Sequence, residues 1–133
     1  MAITFANSLK AAMLNTVETN VGASAKLRIY DGTPPANAEA ALSSNNLLVD
    51  IPLGSDYFAT TSSGVLVKTA GAWSVAAAAT GTARFFRILT SGNVARIQGT
   101  VGTSGADLIL GTVSIVSGAT VTVTGFTLTA GNP

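Results

Sequence analysis

Two spacings of apolar residues divide this chain. Phe5, Leu9, Ala12, Met13, Thr16, Val17 and Val21 recur at three- and four-residue steps, while Lys10, Asn15, Glu18 and Asn20 fall off that stripe. Such spacing predicts one amphipathic helix over residues 5–21, with the stripe on one face that must lie on its own β-domain or on a neighbour. Asn7 or Ser8 is placed to cap its start, and Gly22 to stop it. From Ala25 the period falls to two. Ala25, Leu27 and Ile29 alternate with Lys26, Arg28 and Tyr30, a strand pattern that ends at Pro34 and Pro35. Residues 36–45 are rich in Ala, Ser and Asn and read as an exposed loop.

The same reading predicts strands over 47–51, closed by Pro52, and over 57–61 and 65–69, joined by a turn at Ser62, Ser63 and Gly64. Residues 73–79 read as a strand whose alanines, Ala76 to Ala79, allow another backbone to approach closely. A short helix competes there, because alanine favours helix. The run 82–89 carries bulk on both faces, so both are expected to be covered. Thr90, Ser91, Gly92 and Asn93 form a turn into a strand over 94–101. Residues 102–107 form a loop, and strands follow at 108–110, 112–116 and 120–129. Val121 and Val123 share a parity that Phe126 and Leu128 do not, which places a β-bulge at Gly125. About eight or nine short strands between turn signals predict an all-β fold. It is expected to be an antiparallel β-sandwich, jelly-roll-like, with one N-terminal α-helix. A single domain is expected over 1–133, with a helix or arm over 1–22 and the sandwich over 23–133.

Composition narrows the chemistry. The chain has 133 residues, 47 % hydrophobic and 10 % charged, with a formal charge of +1. Typical domains are about 25 % charged. Nucleic acid and anionic membranes call for clustered basic charge, so neither is an expected partner. No His or Cys is present, which removes imidazole bases, thiolate nucleophiles, disulfides and His/Cys metal sites. The chain starts without a basic segment leading into an apolar run, so no secretory signal is read. The charge-free stretch 108–133 is broken by Gly, Thr and Ser too often to read as a membrane span.

The six carboxylates are Glu18, Asp31, Glu39, Asp50, Asp56 and Asp107. Asp50 and Asp56 lie close in sequence, but a flanking turn explains them before a glycosidase pair does. Serines near Lys10, Lys26 and Lys68 form no distinctive nucleophile–base spacing. Gly99, Gly102 and Gly105 precede no helix and make no phosphate cradle. The chain therefore reads as non-enzymatic, with no cofactor and no metal. Its polar signal is the arginines: Arg84 and Arg87 on one strand, Arg96 on the partner. Their planar forks suit interfaces. Low charge and Thr-rich strands such as Val121-Thr122-Val123-Thr124 favour burial in an assembly.

Four segments carry a resemblance. They are Met1-Ala2-Ile3-Thr4-Phe5-Ala6-Asn7-Ser8-Leu9, Leu27-Arg28-Ile29-Tyr30-Asp31-Gly32-Thr33-Pro34-Pro35, Thr80-Gly81-Thr82-Ala83-Arg84-Phe85-Phe86-Arg87 and Gly99-Thr100-Val101-Gly102-Thr103-Ser104-Gly105-Ala106-Asp107-Leu108. In that order the chain resembles small virion proteins of tailed bacteriophages, some of which look like head decoration (cement) proteins. The resemblance implies a structural protein on the outer capsid surface, assembled in the host cytoplasm. Its implied partners are the major capsid protein and further copies of itself, as a dimer or trimer. Expected contact residues are Phe5, Leu9 and Met13 on the helix, Pro34 and Pro35 on the long loop, and Arg84, Arg87 and Arg96. The alternatives are a neck, tail or fibre component, or a receptor- or carbohydrate-binding module using Trp73 and Tyr57.

Overall fold

A computed structural model describes residues 3–54, 56–60, 64–69 and 73–129 of the chain. Strands hold 44 % of the residues, in a curled sheet with one N-terminal helix. Helix α1 (Asn7–Val21) precedes β1 (Ala25–Tyr30), β2 (Leu47–Gly54), β3 (Phe58–Thr60), β4 (Val65–Lys68), β5 (Ser74–Ala76) and β6 (Gly81–Thr82). Then come β7 (Phe85–Leu89), β8 (Ala95–Gly102), β9 (Leu108–Leu110), β10 (Ser114–Ile115) and β11 (Thr120–Thr129). The run 82–89 breaks at Ala83 and Arg84, which adds one strand to those the periodicity predicts. The turn expected at Ser62 and Ser63 lies outside the described residues, but β3 and β4 on either side of it pair antiparallel.

The main sheet runs β2-β1-β7-β8-β9-β11-β4-β3, with β5 also on β11, while β10 and β6 pair separately. One junction corrects the expected antiparallel arrangement. β8 and β9 run parallel, with Val101 beside Leu108 and Gly102 beside Ile109. The cause is Asp107. Its Oδ2 accepts from the Thr100 N–H and hydroxyl at 3.0 Å each, and its own N–H donates to Thr100 Oγ1 at 3.2 Å. The chain is thus brought back beside Thr100 before β9 starts, so β9 leaves in the direction of β8.

The alanine run closes the curl. Ala77 N–H donates to Ala119 C=O at 2.8 Å, and Ala78 N–H donates to Leu48 C=O of β2 at 2.8 Å. Ala76 to Ala79 therefore lie where other backbones come close, and no helix forms there. The strand around Pro52 is longer than expected: β2 continues through it to Gly54. β2 is the outermost strand, so the missing proline N–H interrupts no interior ladder. The bulge at Gly125 is present as a register shift between Val123 and Gly125.

Helix α1 packs on β3 and β4 of its own chain. Its phase differs from the predicted stripe. Leu14 and Val21 are buried and Val17 packs beside them, whereas Leu9 and Met13 are 49 % and 38 % exposed. Neither Asn7 nor Ser8 caps the start: Ala6 holds the N-cap position with no side-chain hydrogen bond. Gly22 does end the helix, with φ 87° and its N–H on Glu18 C=O at 2.9 Å.

Tyr57 sets this phase. Its hydroxyl donates to Gly22 C=O at 2.9 Å, and its N–H donates to Glu18 Oε1 at 3.1 Å. Burial, reinforced by the Glu18 carboxylate, pushes the phenol pKa up to about 12 from the ordinary 10.0. The folded state therefore keeps a proton that the unfolded chain releases first. This contribution to stability is whole below pH 10 and is lost as pH rises from 10 to about 12. Urea titrations of the wild type and Tyr57→Phe across that range should show the steeper alkaline decline in the wild type. Parallel declines would contradict this account.

Candidate functional site

A polar row crosses the outer face of four strands. Register places Asp50 of β2 beside Arg28 of β1, Arg28 beside Arg87 of β7, and Arg87 beside Gln98 of β8. Arg28 Nε meets Asp50 Oδ2 at 3.2 Å, and Arg87 Nε donates to Gln98 Oε1 at 2.9 Å. Arg87 is buried, and its Nη2 donates to Ala40 C=O at 2.6 Å and Asn37 C=O at 3.2 Å. Gln98 Nε2 donates to Pro35 C=O at 2.8 Å. The sheet thus holds the loop between β1 and β2 against itself from below.

The loop is also braced at its root. Asp31 Oδ1 accepts from Asn46 N–H at 2.7 Å, and Asp31 Oδ2 from Asn46 Nδ2 at 3.0 Å. Those bonds favour the ionised form and hold the Asp31 carboxyl below its ordinary pKa. Asn45 Nδ2 donates across the root to Asp31 C=O at 2.8 Å. Gly32, with φ 76°, stands so near that a Cβ there would meet Asn45 Nδ2 at 2.9 Å. What reads as a plain Ala/Ser/Asn-rich loop is therefore a built one.

Arg87 is the clamp of that loop. A hydrogen bond to a charged group contributes about 1.5–3 kcal/mol. Arg87→Met should therefore speed amide exchange across residues 37–42 by roughly tenfold or more. Exchange at wild-type rates there would show that the guanidinium does not hold the loop.

Between the loop and the second half of α1 lies an open cleft of about 1110 Å³. Arg28, Arg87 and Arg96 line it from the sheet, Thr16 and Asn20 from the helix, and Glu39 from the loop.

The expected contact residues separate into groups. Leu9 and Met13 face solvent one helical turn apart, with Ile3 at 70 % exposure preceding them. Phe5 is half-buried. Pro34 is exposed and Pro35 half-buried in the braced loop. Arg84 and Arg96 are exposed, and neither side chain has a partner among the described residues. Arg87 is instead directed into its own loop. Arg84 lies just before β7 and away from the cleft. Trp73 and Tyr57 are 4 % and 0 % exposed, so neither offers the exposed ring that a glycan platform needs.

Four of the six carboxylates serve local structure. Glu18 holds Tyr57, Asp31 holds Asn46, Asp50 pairs with Arg28, and Asp107 holds Thr100. No cluster of three or more metal-ligating side chains occurs among the described residues. Among those residues, no helix is long and apolar enough to cross a membrane. Sequence reasoning missed the buried Leu14, the hold of Tyr57 on α1 and the Arg28–Asp50 pair. A Leu14–Val17–Val21 spacing was the available signal for the first; the others depend on strand register. In comparisons with known proteins, no family model, no curated protein and no solved structure matches this chain.

Proposed function

We propose that this chain is a head decoration (cement) protein of a tailed bacteriophage. It is a non-enzymatic virion component that binds the outer capsid lattice and holds neighbouring capsomers together. The observation that carries this reading is the apolar face of α1 turned away from its own core, where Leu9 and Met13 stand exposed. A chain with 10 % charged residues has little surface charge to keep such a face from associating. The four resembling segments point the same way. The partners are the major capsid protein and further copies of this chain, as a dimer or trimer. Weak apolar contacts repeated by lattice symmetry add up to a firm attachment.

In this reading the curled sheet serves as a jelly-roll-like sandwich. One leaf comprises β2, β1, β7 and β8, and the other β9, β11, β4, β3 and β5. The two are joined by the short β8–β9 junction and by the Ala78–Leu48 hydrogen bond.

The test is the copy number per purified particle, by quantitative mass spectrometry against the major capsid protein. Copies on the order of hundreds, comparable to the capsid protein, support lattice decoration. About three to a few dozen would move the chain to the neck, tail or fibres and overturn the cement reading. Absence from the particle would overturn both.

A further inference from the structure

We infer that the cleft beside β8 takes an extended, acidic segment of a partner protein, which adds to the open edge of that strand. Three observations meet there. First, the sheet splits at this point. β9 spans only Leu108–Leu110 and covers β8 at Val101 and Gly102. Ala95, Ile97 and Gln98 of β8 pair with β7 on one side, with a register shift at Arg96, and among the described residues no strand pairs with them on the other. Leu128 of β11 and Ala95 to Gln98 both line the cleft, so it occupies the split.

Second, the edge presents backbone. Val101 N–H donates to Arg84 C=O on the β7 side at 3.2 Å, and Thr100 N–H donates to Asp107 on the far side at 3.0 Å. Alternation along the strand then turns the Gln98 N–H and C=O away from β7, toward the split. An added strand pairs with such groups, and alternate side chains give it specificity.

Third, charge selects the occupant. Three of the chain's four arginines, Arg28, Arg87 and Arg96, line the cleft against a single lining acid, Glu39. Arg28 is partly neutralised by Asp50 and Arg87 is directed into the loop. Arg96 stands exposed at the rim with no partner among the described residues. A carboxylate on an added strand would face the exposed Arg96 guanidinium, in the forked geometry that arginine favours. The inference is independent of the particle on which the chain sits.

The test uses the whole protein, labelled with ¹⁵N, and a synthetic peptide of alternating glutamate and valine. Its lysine–valine counterpart and a single-stranded DNA oligomer are the controls. The acidic peptide should shift the amide signals of residues 95–98. Its affinity should fall at least tenfold in Arg96→Glu, whose spectrum away from the cleft should match the wild type. N-methylation of alternate peptide amides should weaken binding as well, because an added strand needs those donors. Equal binding of the lysine peptide, shifts confined to other surfaces, or unchanged affinity in Arg96→Glu would each overturn the inference. Tighter binding of the DNA oligomer would also overturn it, by marking the arginines as a phosphate site.

Discussion

Phe126→Ala is expected to lower stability by about 3–5 kcal/mol, the range for deleting a buried aromatic ring. Phe126 sits at the centre of the aromatic core. Its ring lies 5.3 Å from Phe58, stacked, 5.7 Å from Trp73, tilted, and 5.8 Å from Phe86, edge-on. These partners come from β3, the segment before β5, and β7, so the ring ties the β3 end of the sheet path to the interior strand β7. Because β11 is held by β9, β4 and β5, its backbone has little freedom to collapse into the void. A domain of this kind is stable by about 5–15 kcal/mol, so the variant should keep its fold but melt far earlier. Trp73, the single tryptophan, reports the change through red-shifted emission as water reaches the cavity. A loss under about 1 kcal/mol would mean that the cluster does not organise the core.

Gly99→Ala is expected to cost about 1–3 kcal/mol, although it adds only a methyl group. A Cβ on Gly99 would stand 2.7 Å from Phe86 Cε1 and 2.9 Å from Asp107 Oδ2. Neither neighbour can yield easily. Phe86 is 1 % exposed and backed by Phe126, and Asp107 is held by Thr100. Urea unfolding of Gly99→Ala, Phe86→Leu and the double variant forms a closed cycle. The double variant should lose less than the sum of the two single losses, because the leucine vacates the space that the alanine needs. Strict additivity would show that the Phe86 ring is not what excludes the methyl group.

The chain advertises its local chemistry better than its long-range register. Gly125 and the turn at Asn93 each carry a local physical reason that does not depend on distant partners, whereas the alanine run leaves strand and helix open until Ala119 and Leu48 are placed beside it. The helix period is equally legible, but its phase is not. Residues 5–21 hold enough apolar positions for two overlapping stripes, and the choice between them is made by Tyr57 gripping Glu18 and Gly22. The parallel junction could not be read either, because it depends on Asp107 reaching back to Thr100. Pro52 reads as a strand stop until β2 is known to be an edge.

The site divides in the same way. Arg87 and Arg96 stand out by residue type alone. The cleft does not, since Arg28 enters it only through the pairing of β1 with β7. The burial of Trp73 and Tyr57 follows from the aromatic cluster, which gathers residues from distant parts of the chain.

The β8–β9 junction has a consequence for motion. It is a ladder of two residue pairs, while the ladders joining β1 to β2 and to β7 run to six and five. Across the curl, Ala78 and Ala79 share the single carbonyl of Leu48. Opening fluctuations concentrate where the fewest bonds must break. The curled sheet should therefore open first at that junction, its slowest-exchanging amides within β1 and β7. The split beside β8 should gape with each excursion, well before any strand is lost.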